Sequence, residues 1–320
     1  ASFADNAKAI FGAGSDLQIY HDGSNSFVQD TGTGDLYLQG SSNIFFRKGN
    51  GDEVFAHFAD DGACKLRFDN STKIQTTSTG IDVTGTVVSD GMSTNTSGTS
   101  NFIAGVNAGV NIASGSNANT LIGDEAGNDI TTGLENTLVG FETGDALTDA
   151  DFNVAVGRLA LSGDTLGSRS VAIGWGALRV QNFTSATNTY NTAVGMQAGT
   201  QVTTGVQNTL IGGQAGFSVT TGSSVTAVGY NAGASNTTAA NTTVIGHNAG
   251  DAITTGNNNV ALGSNSLSST TTGTSNVAVG TSALAANTTA SNNIGIGENA
   301  LTANTTGTRN VALGAFTLDA

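Results

Sequence analysis

The chain has 320 residues with 45 Gly, no Pro, one Cys, 6% aromatic and only 11% charged residues, against about 25% charged in an average globular domain, a balance that excludes an ordinary enzyme domain. Low charge is common in membrane proteins, yet the apolar runs here span a few residues, far short of the roughly 18 that a spanning helix needs, so no membrane insertion is expected. The formal net charge of −14 opposes nucleic acid and anionic membrane as partners, because both call for a cationic footprint.

The chain opens with Ala, and ASFADNAKAIFG lacks the basic-then-apolar layout of a signal peptide, so it is expected to begin inside a longer or processed product. Residues 1–88 carry short strand-like runs (DLQIY, DLYLQ, NIFF, EVFAHF, CKLRF) separated by Asp-Gly, Gly-Asn-Gly and Asp-Asn-Ser turns, which predict an all-β segment rich in large side chains. Cys64 stands alone, so neither an internal disulfide nor a thiolate metal cluster is available. Residues 89–100, SDGMSTNTSGTS, have linker composition.

From 101 to 320 the chain repeats. A phrase N-x-x-[VIL]-G recurs with its glycine at Gly105, Gly123, Gly140, Gly157, Gly174, Gly195, Gly212, Gly229, Gly246, Gly263, Gly280, Gly297 and Gly314; the spacing is 17 residues except for a first step of 18 and one of 21 between Gly174 and Gly195. Seventeen residues are too few for the helix pairs of ankyrin or tetratricopeptide repeats. β-branched residues alternating over five positions and punctuated by Gly read instead as short strands, so each of the thirteen units is one coil of a parallel β-solenoid. At roughly 4.8 Å per strand the array makes a rod about 60 Å long.

Counting from the Asn as position one, positions two and four share one strand face and position three takes the other. All three are largely apolar. One face therefore fills the coil and the other needs a cover, and we assign position three to the covered, intersubunit face of a homotrimer. Positions three and nine exchange volume: Leu at nine (Leu161, Leu178, Leu284) accompanies Ala or Gly at three, whereas Gly at nine (Gly127, Gly144, Gly216) often accompanies Leu at three. Close packing demands such exchange of side chains that share a space. The recurrent Asn119, Asn136, Asn153, Asn191, Asn208, Asn259, Asn276, Asn293 and Asn310 are read as a stacked amide ladder along the axis, and the repeat glycines as turn or close-approach positions.

The segment ADNAKAIFGAGSDLQIYHDGSNSFVQDTGTGDLYLQG, with STGIDVTGTV further on, resembles the opening of tail-fibre and other virion structural proteins of marine bacteriophages. The units NVAVGTSALAANTTASN and NTLIGGQAGFSVTTGSS resemble the repeat arrays of tail-fibre-domain proteins and, more distantly, the head repeats of trimeric autotransporter adhesins. The resemblance implies a homotrimer of left-handed parallel β-rolls, a place in the virion as a tail or surface fibre, other virion proteins as neighbours, and a host cell-surface glycan or protein as the target of attachment. The alternative it leaves is a bacterial surface adhesin or extracellular structural filament.

No catalytic constellation emerges. His21, His57 and His247 lack metal-ligand or triad context, and His247 falls at position six, an outward site. Asp124, Glu125, Asp129, Glu135, Glu142, Asp145, Asp149, Asp151 and Asp164 crowd into about two and a half coils without the spacing of calcium-binding β-rolls, and read as a solvated face. The expectation is a non-enzymatic fibre with no cofactor and no metal. The four-residue insertion in RVQNFTSATNTYN brings Phe183 and Tyr190 towards Trp175 in sequence; loops on a regular solenoid commonly carry binding, so Trp175, Phe183 and Tyr190 are the receptor-contact candidates.

Overall fold

The computed structural model describes residues 2–49, 51–60, 62–85 and 97–319; of the expected linker only 97–100 lies within the described residues. The chain divides into two compact units, Ala1–Asp90 and Gly91–Ala320. Every regular element is a strand, so the protein is all-β.

The first unit holds two antiparallel sheets. One is a meander of β1 (Lys8–Phe11), β2 (Leu17–His21) and β3 (Ser26–Asp30); the other runs through β4 (Asn43–Arg47), β5 (Val54–Ala59), β6 (Cys64–Phe68), β7 (Ser71–Thr77) and β8 (Gly80–Val83). Alternation gives the larger sheet two unlike faces. Phe45, His57, Lys65, Gln75 and Asp82 share one of them, with the Phe45 and His57 rings stacked at 4.2 Å. Ile44, Phe46, Ala56, Phe58, Leu66, Ile74 and Val83 share the other. None of the described residues up to 85 is buried, so this apolar face has no core to join.

The second unit is the β-solenoid that the 17-residue period predicts. Each coil contributes one three-residue strand, from Phe102–Ala104 to Val311–Leu313, and the thirteen strands form one parallel sheet in coil order. Register is fixed by the repeat: Thr120 pairs Thr137, which pairs Val154, position two over position two. Outside the strands the chain turns through left-handed residues at positions seven, nine and seventeen, such as Glu142 (φ 50°), Leu161 (φ 55°) and Arg169 (φ 66°). Its backbone still pairs with the next coil there, as in Gly144 N–H to the Ala160 carbonyl at 3.0 Å, which leaves the turns hydrogen-bonded. The glycine at position five is needed twice over: Gly157 has φ 126°, and a Cβ there would stand 2.8 Å from the Gly174 carbonyl of the coil above.

The amide ladder is present and buried. Asn136 Oδ1 accepts from Asn153 N–H at 3.0 Å, and Asn153 Oδ1 from Ser170 N–H at 2.8 Å, while Asn136 Nδ2 donates to the Ala150 carbonyl at 2.8 Å. A second ladder was not anticipated. The Thr at position thirteen donates its hydroxyl to the carbonyl of its counterpart one coil on, as from Thr203 to Thr220 and from Thr220 to Thr237.

The facing assignment is reversed. Position three points into the coil, where Leu121, Ala155, Leu210 and Ala278 are fully buried. Positions two and four point out and remain half-exposed along the whole sheet. Both sets are apolar, and alternation alone does not say which one is inside. Position one does: its buried amides lie on the same side as position three, because only inside the coil can they reach the carbonyls at position fifteen. Positions three and nine share a packing site. A Cβ on Gly127 would meet Leu121 Cδ2 at 3.0 Å, and one on Gly295 would meet Leu284 Cγ at 3.2 Å.

Candidate functional site

The insertion does not form an exposed aromatic knob. Its residues fold back against the preceding coil, where Thr187–Asn188 pairs in parallel with Gly167–Ser168. Phe183 is only 7% exposed, and its N–H donates to Asp164 Oδ1 at 3.1 Å. Below it lies a closed polar network: Gln181 Nε2 donates to Asp164 Oδ2 at 2.6 Å and to Ser170 Oγ at 2.9 Å, and Gln181 Oε1 accepts from Asn191 Nδ2 at 2.8 Å. Asp164, Ser170, Gln181 and Asn191 are all buried. Asp164 and Gln181 stand at position twelve of their coils, and the network they form anchors the extra loop. Phe183 thus belongs to the packing, and Asp164 leaves the acidic face.

Trp175 and Tyr190 are exposed, 42% and 55%, but at opposite ends of the strand register. Trp175 follows the strand Val171–Ile173 at position six; Tyr190 precedes Thr192–Val194 at position seventeen of its coil. Each caps a short column. At position six Phe141, Arg158 and Trp175 succeed one another, and the Arg158 guanidinium lies 5.6 Å from the Phe141 ring. At position seventeen Phe152, Arg169 and Tyr190 do so, with the Arg169 guanidinium 4.5 Å from the Phe152 ring and Arg169 Nε donating to Asn188 Oδ1 at 3.0 Å. The strip between them carries Val154, Val156, Val171 and Ile173. The sequence holds this aromatic–arginine–aromatic order at both positions, six and seventeen; the signal is legible once the two columns are written side by side.

Among the acids, burial raises Asp145 from its ordinary 3.8 to about 6, and nearby Glu142, Asp129 and Glu125 push the same way; its Oδ1 has no hydrogen-bond partner among the described residues. No set of three or more His, Cys, Asp or Glu side chains among the described residues is arranged to hold a metal ion. His247 sits at an exposed position six, stacked on Tyr230 with centroids 5.8 Å apart. In the first unit an open concavity of about 340 Å³ is lined by Asp16, Asp30 and Asp35 with Thr33 and four neighbours of no nucleophilic character. A second, of about 230 Å³, lies on the bare apolar face between Phe58, Leu66, Ile74 and Ile81. No helix among the described residues is long and apolar enough to cross a membrane.

No protein-family model, curated protein or solved structure matches the chain. The architecture it shows is that of an all-β repeat protein whose second unit is a β-solenoid of about twelve turns.

Proposed function

We propose that the protein is a non-enzymatic structural fibre that self-assembles as a homotrimer, most closely a phage tail fibre that spaces or presents a host-recognition element. The observation that carries this reading is the outward strand face. Positions two and four are aliphatic or Thr in every coil after the first, with no charged side chain at either, and they run uncovered along thirteen strands. A continuous apolar strip of that length on a soluble rod marks an interface. The larger sheet of the first unit calls for a cover in the same way. Regular coils spend the sequence on length and stiffness, which suits a spacer; the chemistry of attachment would then be a host cell-surface glycan or protein.

Antibody raised against the purified chain and applied to virions and to bacterial cells under electron microscopy tests the assignment. Label on tails or surface fibres supports it. Label confined to the bacterial surface would move the protein to the adhesin or filament class.

A further inference from the structure

The two edges of the outward face are complementary to each other, and we propose that they mate between parallel, in-register copies of this chain, the position-seventeen edge of one copy against the position-six edge of the next. The inference rests on the self-assembly reading above and adds the surface, the orientation and the register.

Because position seventeen runs straight into the following strand, the residues that share a strand level come from successive coils. Phe152 and Arg158 flank Val154–Val156, Arg169 and Trp175 flank Val171–Ile173, and Tyr190 and Met196 flank Thr192–Val194. All six are exposed. In-register mating at these levels sets a guanidinium on an aromatic ring twice and a thioether on a ring once, each a favourable pair. The next level pairs Glu135 with Phe141 and the one beyond it Ala118 with Asp124, so no level opposes like charges. A shift of one coil in the direction that matches residues of the same coil would face Arg158 with Arg169 and Asp124 with Glu135, which is repulsive. The sequence thus favours one register and disfavours that neighbour.

Each guanidinium already leans on a ring of its own column and would be sandwiched by a second ring from the partner. The solenoid has only four Arg and no Lys, within a chain of net charge −14, and three of those four, Arg158, Arg169 and Arg309, stand on these edges. Unlike edges meeting head to tail generate a closed ring about the rod axis, with the uncharged strip of positions two and four at its centre, as charge-depleted interface cores require.

The test uses the full chain in a Cys64→Ser background, since Cys64 is a free, exposed thiol. Arg169→Cys combined with Trp175→Cys puts two thiols on either side of the strand Val171–Ile173, whose three residues at about 3.3 Å each already hold them farther apart than a disulfide spans within one chain. Mild oxidation should give a covalent ring containing as many chains as the native assembly sized by light scattering, while either single variant stays uncrosslinked. Phe152→Cys with Arg158→Cys, one level away, should behave alike, and the out-of-register pair Phe152→Cys with Trp175→Cys should not crosslink. An oligomer that crosslinks through a single variant, or not through either in-register pair, overturns the edge pairing and leaves self-assembly standing. A monomeric chain overturns both.

Discussion

Asn236 shows what the coil interior asks of a single residue. It is 1% exposed, and neither Nδ2 nor Oδ1 has a partner among the described residues. Position twelve of the coils on either side holds Val219 and Ile253, both buried. Coils with Gly at position nine otherwise carry an aliphatic side chain at twelve, and Asn236 breaks that pattern in a coil whose positions three and nine are the small Ala227 and Gly233. An unpartnered amide in a buried site is costly. Asn236→Ile is therefore expected to stabilise the protein by about 1–2 kcal/mol, read as a raised denaturation midpoint; a lowered one would show that the space is already filled. Asp145 is the titrating counterpart. Its pKa is raised to about 6, so the folded chain holds the proton more tightly than the unfolded one, and stability falls as pH rises between about 4 and 6. Asp145 is half exposed to solvent, so the effect is discounted to about 1 kcal/mol. Asp145→Asn should raise the melting temperature at pH 7 and leave it unchanged at pH 3.5, where the native carboxyl is already protonated.

The coil comes in two packings. One sets Gly at nine, usually an aliphatic at twelve and often Leu at three, as in Leu121, Gly127 and Ile130; the other sets Ala or Gly at three, Leu at nine and a polar group at twelve, as in Ala278, Leu284 and Asn287. Ala155→Leu should overpack its coil and cost about 1–3 kcal/mol, and adding Leu161→Gly should return part of that loss; strictly additive effects in a double-mutant cycle would separate the two positions. Ala278→Glu buries an unpaired charge and should be far more damaging than a change at the exposed Thr281. The period, the strand positions, the amide ladder and the exchange between positions three and nine were all legible in the sequence, because each recurs over most of the coils and repetition separates a constraint from chance. The side that faces inward was not, since both faces are apolar. The fate of Phe183 was not legible either. Its burial depends on Asp164 and Gln181, whose pairing joins two coils through the one irregular step, where the repeat gives no guidance.

At the scale of the molecule, both units expose apolar surface that a lone chain leaves bare. The first has no buried residue among those described, and sheets without a core are not stable in isolation. The second has a full interior but an uncovered aliphatic strip. The two should therefore respond differently to dilution. If copies cover these faces, unfolding of the first unit depends on chain concentration, because association contributes directly to its stability, whereas the hydrogen-bonded interior of the solenoid resists on its own. Val171→Glu, on the strip, is expected to weaken assembly strongly while the coils stay folded, since the new charge faces outward into the interface and not into the core; Ser269→Glu, at an exposed position eleven away from the strip and from both its edges, should leave assembly intact. Sedimentation of both variants over a hundredfold range of concentration, with circular dichroism to follow the strands, reads the difference. Equal assembly of the two would return the aliphatic strip to the role of bare surface and require another cover for the rod.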